Sequence, residues 1–197
     1  MHPDALSLPL TATTLAYFTS PRLIVPHLRG GDAASAIQEL SQAMVLNKRV
    51  PDLLAFYHAA LNQECLVGSR LQPGIAFPHA RLSALKGLSF ALGRSDQPLR
   101  WIGKNLQAIR LVFLIAVPAT DSTEYLSLLS GLARLGRQDR LVEQLYRAPG
   151  TFEFIEVLKQ IELQPRPAPD LMKTGANSGT AIESSKSGLP SGQGDSI

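Results

Sequence analysis

Seven consecutive apolar residues, Leu111-Val-Phe-Leu-Ile-Ala-Val117, run without interruption into Pro118. A run with no polar position suits a strand buried on both faces. Such a strand needs a covering layer on each side, and helices are the usual cover. The run is also far shorter than the roughly 18–20 apolar residues of a membrane span, so no membrane insertion is expected. Apolar residues make up 45% of the 197-residue chain and charged residues 18%. That is enough for a sizeable core and excludes a wholly disordered chain.

The neighbouring patterns supply the rest of a layered domain. Arg22-Leu-Ile-Val-Pro26, Gly74–Ala80 and Leu88–Leu92 read as further strands beside Ile109–Val117. Asp32 is placed to cap a helix with apolar positions Ala33, Ala36, Ile37, Leu40 and Met44. A second helix is expected from Pro51-Asp52 with a stripe of Leu54, Tyr57 and Leu61, ending before Gly68. A third, capped by Ser122 or Thr123, carries Leu126, Leu129, Leu132, Ala133 and Leu135; Arg140–Tyr146 and Phe152–Ile161 continue the helical pattern. Strands interleaved with helices predict an α/β domain over residues 20–163, behind an N-terminal arm, residues 1–19. Of the 34 residues from Gln164 onward, 15 are Gly, Pro or Ser, which predicts a disordered tail over 164–197.

Charge and special residues narrow the function classes. The net charge of +3 falls on the folded part, because three basic and three acidic residues cancel in the tail. No basic stripe with interleaved aromatics is present, so nucleic acid is not an expected partner. Met1-His-Pro-Asp4 lacks a basic segment followed by an apolar core, and the single cysteine, Cys65, cannot form an internal disulfide. Both fit a cytoplasmic protein. Cys65 itself reads as a bland buried thiol. His2, His27, His58 and His79 never fall at metal-ligand spacing with each other or with Cys65, so neither a metal nor another cofactor is expected. Gly103-Lys104 is followed by Asn105, with Pro98 where a phosphate-binding loop needs its first glycine, and no Gly-x-Ser-x-Gly elbow occurs. Acidic pairs such as Glu153 and Glu156 read as a solvated helix face.

One segment stands apart: Gly74-Ile-Ala-Phe-Pro-His-Ala-Arg81. Pro78 has no N–H for a sheet ladder, so the strand should stop, bulge or sit at an edge there. His79 then emerges where a buried strand reaches the surface. Neutral imidazole is abundant near pH 7 and can act as a nucleophile, although residue types alone favour an ordinary strand-end histidine.

This segment resembles the Gly-Ile-Ala-Ile-Pro-His-Ala motif of phosphotransferase-system enzyme IIA domains of the fructose/mannitol type, including the nitrogen-regulatory branch. The resemblance runs from about Ser20 to Ile161 and takes in the Leu111–Pro118 run, the helical Glu124–Leu135 stretch and Gly150–Leu158. It implies a three-layer α/β/α sandwich with a mixed central β-sheet. It also implies that His79 accepts a phosphoryl group from a histidine-phosphocarrier protein and passes it to an enzyme IIB domain, or through it controls a regulated target protein. Such a chain is a phosphotransferase component and not a complete enzyme alone. Gly74 and Pro78 belong to the motif. The sequence departs from the family at three places: Gln63-Glu64 stands for Arg-Glu, Val67–Pro73 replaces a glycine-rich approach, and Tyr125 takes the place of a second histidine. Losing a cation and an imidazole removes two groups that stabilise a transferring phosphoryl. Tyr125 retains a hydroxyl donor, and Arg81 and Arg70 are candidates for the missing positive charge. The departures leave a second expectation open, a degenerate enzyme-IIA-like protein-binding module without phosphoryl transfer.

Overall fold

The apolar run forms strand β5, Ile109–Pro118, in a computed structural model that describes residues 13–66, 73–101, 108–120 and 123–163. Every residue of β5 except Arg110 is buried. On one side it pairs antiparallel with β4, Ser89–Leu99, which in turn pairs parallel with the short β1, Ile24–Val25. On the other side it pairs parallel with β2, Ile75–Ala76, and β3, His79–Leu82. The sheet is mixed and β5 is central to it, as two-faced burial requires.

Alternation along β5 assigns the two covering layers. Leu111, Phe113, Ile115 and Val117 pack against α3 (Thr123–Gly136), α4 (Asp139–Arg147) and α5 (Thr151–Lys159) through Leu128, Leu132, Leu145, Phe154 and Leu158. Val112, Leu114 and Ala116 face α1 (Ala33–Leu46) and α2 (Leu53–Leu66) through Ile37, Leu40, Met44, Phe56 and Ala60. The result is the expected three-layer α/β/α sandwich. Phe113 stacks on Phe77 at 5.4 Å and meets Phe90 at 5.7 Å, so one aromatic group joins β5 to β4 and to the residue that follows β2.

The predicted cap of α1 is present: the Asp32 carboxylate accepts from the Ser35 N–H at 2.9 Å, and the Ser35 hydroxyl closes the reciprocal capping box. Several expectations need correction. The packed body starts before Ser20: Leu15 and Phe18 are buried on a short 3-10 turn, and the Leu163 N–H reaches the Thr13 carbonyl at 2.6 Å. Their spacing of three points both side chains inward. In α2 the inward row is Phe56, Ala60 and Glu64, while Leu54 is 65% exposed. This helix is apolar around most of its circumference, so hydrophobic spacing gives it no direction. Leu126 and Phe152 are likewise exposed. β4 continues through Leu99 because Arg94 and Ser95 find partners inside, while Asp96, Gln97 and Pro98 lie exposed. Buried Arg94 donates to the carbonyls of Pro26, Leu145, Tyr146 and Ala148, the last at 2.7 Å. The segments 1–12 and 164–197, and with them most of the expected arm and the whole expected tail, lie outside the described residues, as does Ser122.

Phe113 and Ile115 have no exposed surface. Truncating either to alanine removes packing on the central strand and is expected to cost about 2–5 kcal/mol. Urea denaturation midpoints check this, and values matching the parent protein for both variants contradict it.

Candidate functional site

Gly74 opens the segment that leads to His79. Its φ is +79°, and a Cβ there would lie 2.7 Å from the Tyr146 hydroxyl, so the position requires glycine. Its carbonyl accepts the N–H groups of Arg110 and Leu111, at 2.9 and 3.1 Å, which ties the segment to the start of β5. Ile75 and Ala76 pair with Leu111 and Val112, and the ladder then breaks at Phe77-Pro78. It resumes with His79 opposite Ile115, in the same register offset, so the single expected strand becomes two short ones without a bulge. Pro78 lacks the donor but keeps its acceptor: its carbonyl receives the Ile115 N–H at 2.9 Å.

His79 is half-buried at the first position of β3. Its Nδ1 lies 3.3 Å from the Phe77 carbonyl oxygen. A carbonyl only accepts, so this contact assigns the proton to Nδ1 and leaves the lone pair on Nε2. The imidazole ring is 5.8 Å from the Tyr125 ring, tilted by 44°. Arg81, two residues along β3, shares the strand face of His79. Its guanidinium carbon is 5.6 Å from the Tyr125 ring centre, and its Nη1 donates to the Pro118 and Ala119 carbonyls at 3.2 and 3.3 Å. The exposed Arg81 is thereby tethered to the end of β5 with its charge beside the aromatic ring. Burial pushes the Tyr125 phenol above its ordinary value, and the Arg81 charge pulls weakly the other way. The phenol therefore stays protonated near neutral pH and presents an O–H donor.

The structure thus brings together His79, Arg81 and Tyr125, with Gly74 and Pro78 shaping the backbone. Gln63 sits on the last turn of α2, partly buried, and among the described residues no hydrogen bond joins it to that group. Arg70 lies outside the described residues. Sequence reasoning missed the neighbour of Gln63: Glu64 is only 2% exposed and accepts the Trp101 indole N–H at 2.7 Å. The available signal was that Glu64 is the sole charged residue of α2. Cys65 is exposed and not buried, because it follows Glu64 onto the outer side of that turn. Among the described residues no group of three or more His, Cys, Asp or Glu gathers as a metal site, and no helix is long and apolar enough to cross a membrane.

Residues 17–161 match the family described as phosphoenolpyruvate-dependent sugar phosphotransferase system, EIIA 2. A curated relative, the nitrogen regulatory protein of Bradyrhizobium diazoefficiens, is 28% identical over 126 residues, which is 64% of this chain and 82% of that protein. Other curated relatives are longer, and the chain spans about a fifth of their length. The crystal structure of nitrogen regulatory protein IIA-Ntr from Neisseria meningitidis superposes with a TM-score of 0.68 at 22% identity, covering 73% of this chain and 98% of that one. Enzyme IIAMTL of Escherichia coli, solved in complex with phosphorylated enzyme IIBMTL, gives 0.57 at 18% identity, covering 71% of this chain and 95% of that one. These likenesses carry the fold.

Because the folded pKa of Tyr125 is raised, its contribution to stability is fully present below the unfolded-state value near 10. It is lost as pH rises from there through the folded value. The parent protein should therefore lose stability above pH 10 more steeply than Tyr125→Phe in chemical denaturation. Arg81→Ala should raise the phenol further in an absorbance titration; an unchanged or lower value contradicts the proximity of guanidinium and ring.

Proposed function

The chain belongs to the EIIA 2 family of the phosphoenolpyruvate-dependent sugar phosphotransferase system, and from that premise we propose that His79 is its phosphoryl acceptor. The observation that supports this most is the contact of Nδ1 with the Phe77 carbonyl, which leaves Nε2 with its lone pair. The donor is a histidine-phosphocarrier protein whose phosphorylated ring is protonated. His79 Nε2 forms a bond to phosphorus as the carrier's phosphorus–nitrogen bond breaks. The carrier's nitrogen keeps that electron pair and its ring leaves as neutral imidazole. The His79 ring becomes an imidazolium, and its Nδ1–H strengthens the hydrogen bond to Phe77 as the charge develops. No general base is required.

The transferring group spreads negative charge over its equatorial oxygens, and positioned donors lower that barrier. Tyr125 supplies a neutral O–H and Arg81 a tethered positive charge on the same side of His79. The recipient is an enzyme IIB domain, in keeping with the IIA–IIB complex of the Escherichia coli relative, or a regulated target protein, in keeping with the nitrogen regulatory relative. We place the reaction in the cytoplasm, where phosphocarrier proteins work. A second reading, a protein-binding module without phosphoryl transfer, is favoured by the absence of any hydrogen bond from Gln63 to the group among the described residues.

Incubation with phosphorylated carrier should give acid-labile, base-stable phosphate on the parent protein and none on His79→Ala. Losing one charge-stabilising contact costs about 10²–10³ in rate, so Arg81→Ala should slow transfer within that range. Tyr125→His should accelerate it. Phosphate retained on His79→Ala refutes the site, absence of transfer to the parent from any carrier favours the binding module, and a Tyr125→His variant no faster than the parent refutes the role of that residue.

A further inference from the structure

Away from His79, the turn from α1 to α2 and the turn after β3 enclose an open concavity of about 280 Å³. Its floor is apolar, made by Val45, Val50, Pro51 and Ala84. Its rim is cationic: Lys48, Arg49 and Lys86, all exposed, and none forms an ion pair with a described carboxylate. The nearest carboxylate in sequence, Asp52, is engaged on the Ala55 N–H at 3.0 Å as the cap of α2. Leu46, next to Val45 in the chain, is 76% exposed.

The backbone adds an independent observation. α1 ends in a Schellman arrangement: the Lys48 N–H donates to the Val45 carbonyl and the Arg49 N–H to the Met44 carbonyl, each at 2.9 Å. Its left-handed position, φ 57°, is usually glycine or asparagine, and here it is Lys48, alone among the described non-glycine residues in having positive φ. The chain carries a cation where its own helix end favours glycine. Strained residues of this kind cluster at sites of function.

We propose that this concavity docks an acidic protein segment whose apolar side chains fill the floor while its carboxylates pair with Lys48, Arg49 and Lys86. Charge complementarity and the apolar floor select that occupant together. A compact inorganic anion has no use for Val45, Val50 and Ala84, and three solvent-exposed cations do not form the buried cradle it needs. A second copy of this chain would bring its own cations against these.

The test uses the full chain and a short fluorescent peptide of glutamate and leucine. The peptide should bind, more weakly as salt rises. Arg49→Glu and Lys86→Glu should each weaken it about three- to tenfold, in line with exposed charge pairs reversed in sign. Lys48→Gly should weaken it about threefold while raising the thermal midpoint, so that reduced binding cannot be assigned to unfolding. His79→Ala should bind with unchanged affinity, which separates this surface from phosphoryl transfer. Unchanged binding by the two charge-reversal variants overturns the proposal, as does equal affinity for a glutamate–serine peptide or loss of binding in His79→Ala. Displacement by inorganic phosphate at constant ionic strength reassigns the concavity to a compact anion. Self-association abolished by Lys86→Glu reassigns it to a second copy.

Discussion

The two-sided burial of β5 is the constraint from which the rest follows. A strand with both faces dry must sit between two helical layers, and its alternating side chains divide α1–α2 from α3–α5. The same strand is the ruler for the site. β3 takes its register from β5, which sets His79 level with Ile115 near the end of the apolar run. The last carbonyls of that run, Pro118 and its neighbour Ala119, hold Arg81. The chain that leaves β5 then enters α3, whose third residue is Tyr125. Three side chains from two elements therefore meet because one buried strand fixes both, which places the group on a rigid frame.

The opposite end of the sheet is organised by arginine. Among the described residues no salt bridge joins the buried Arg94 to a carboxylate, and its guanidinium gathers the carbonyls of Leu145, Tyr146 and Ala148 at the C-terminal end of α4. Those carbonyls are orphaned by the helix end and carry partial negative charge, so they suit a buried cation well. Arg110 donates to the Ser95 carbonyl and lies 4.8 Å from the Tyr146 ring centre. The Tyr146 hydroxyl, in turn, closes the space over Gly74. Polar groups thus lock α4 to the sheet and admit only glycine at the entry to the histidine segment, while His79 at the start of β3 is left half-buried.

This division explains what was legible in the sequence. The uninterrupted run of β5, the Asp32 cap and the Pro78-His79 break are local signals, and each is found where its residue types require. Arg94-Ser95-Asp96 reads as the end of a strand, yet β4 continues through it because Arg94 finds carbonyls fifty residues away, a partner that no local pattern reveals. The apolar circumference of α2 hides which side packs, and the inward residue Glu64 is of a charged type so seldom fully buried that no pattern points to its place. At the site, His79 could be chosen from its motif. The stacking of Arg81 with Tyr125 across two elements is a tertiary fact that follows only once β3 and α3 meet at the end of β5.

The charge balance around His79 determines what the proposed phosphorylation would do there. Arg81 is the cation of the gathered group, partly committed to two carbonyls, and Tyr125 contributes a dipole without a charge because burial holds its proton in place. A phosphoryl group adds roughly two negative charges. Here it would arrive beside the tethered Arg81 and outweigh its charge, with the ring proton on Nδ1 offsetting part of the change. A site with two mobile cations would absorb the same group with little outward effect. Under the proposed role, phosphorylation of His79 would change the surface potential next to the exposed Leu126, which follows Tyr125 in the chain. Partners that meet this face would sense the sign of the charge and the apolar contact at once, which is the chemistry by which a protein surface distinguishes two states of one histidine.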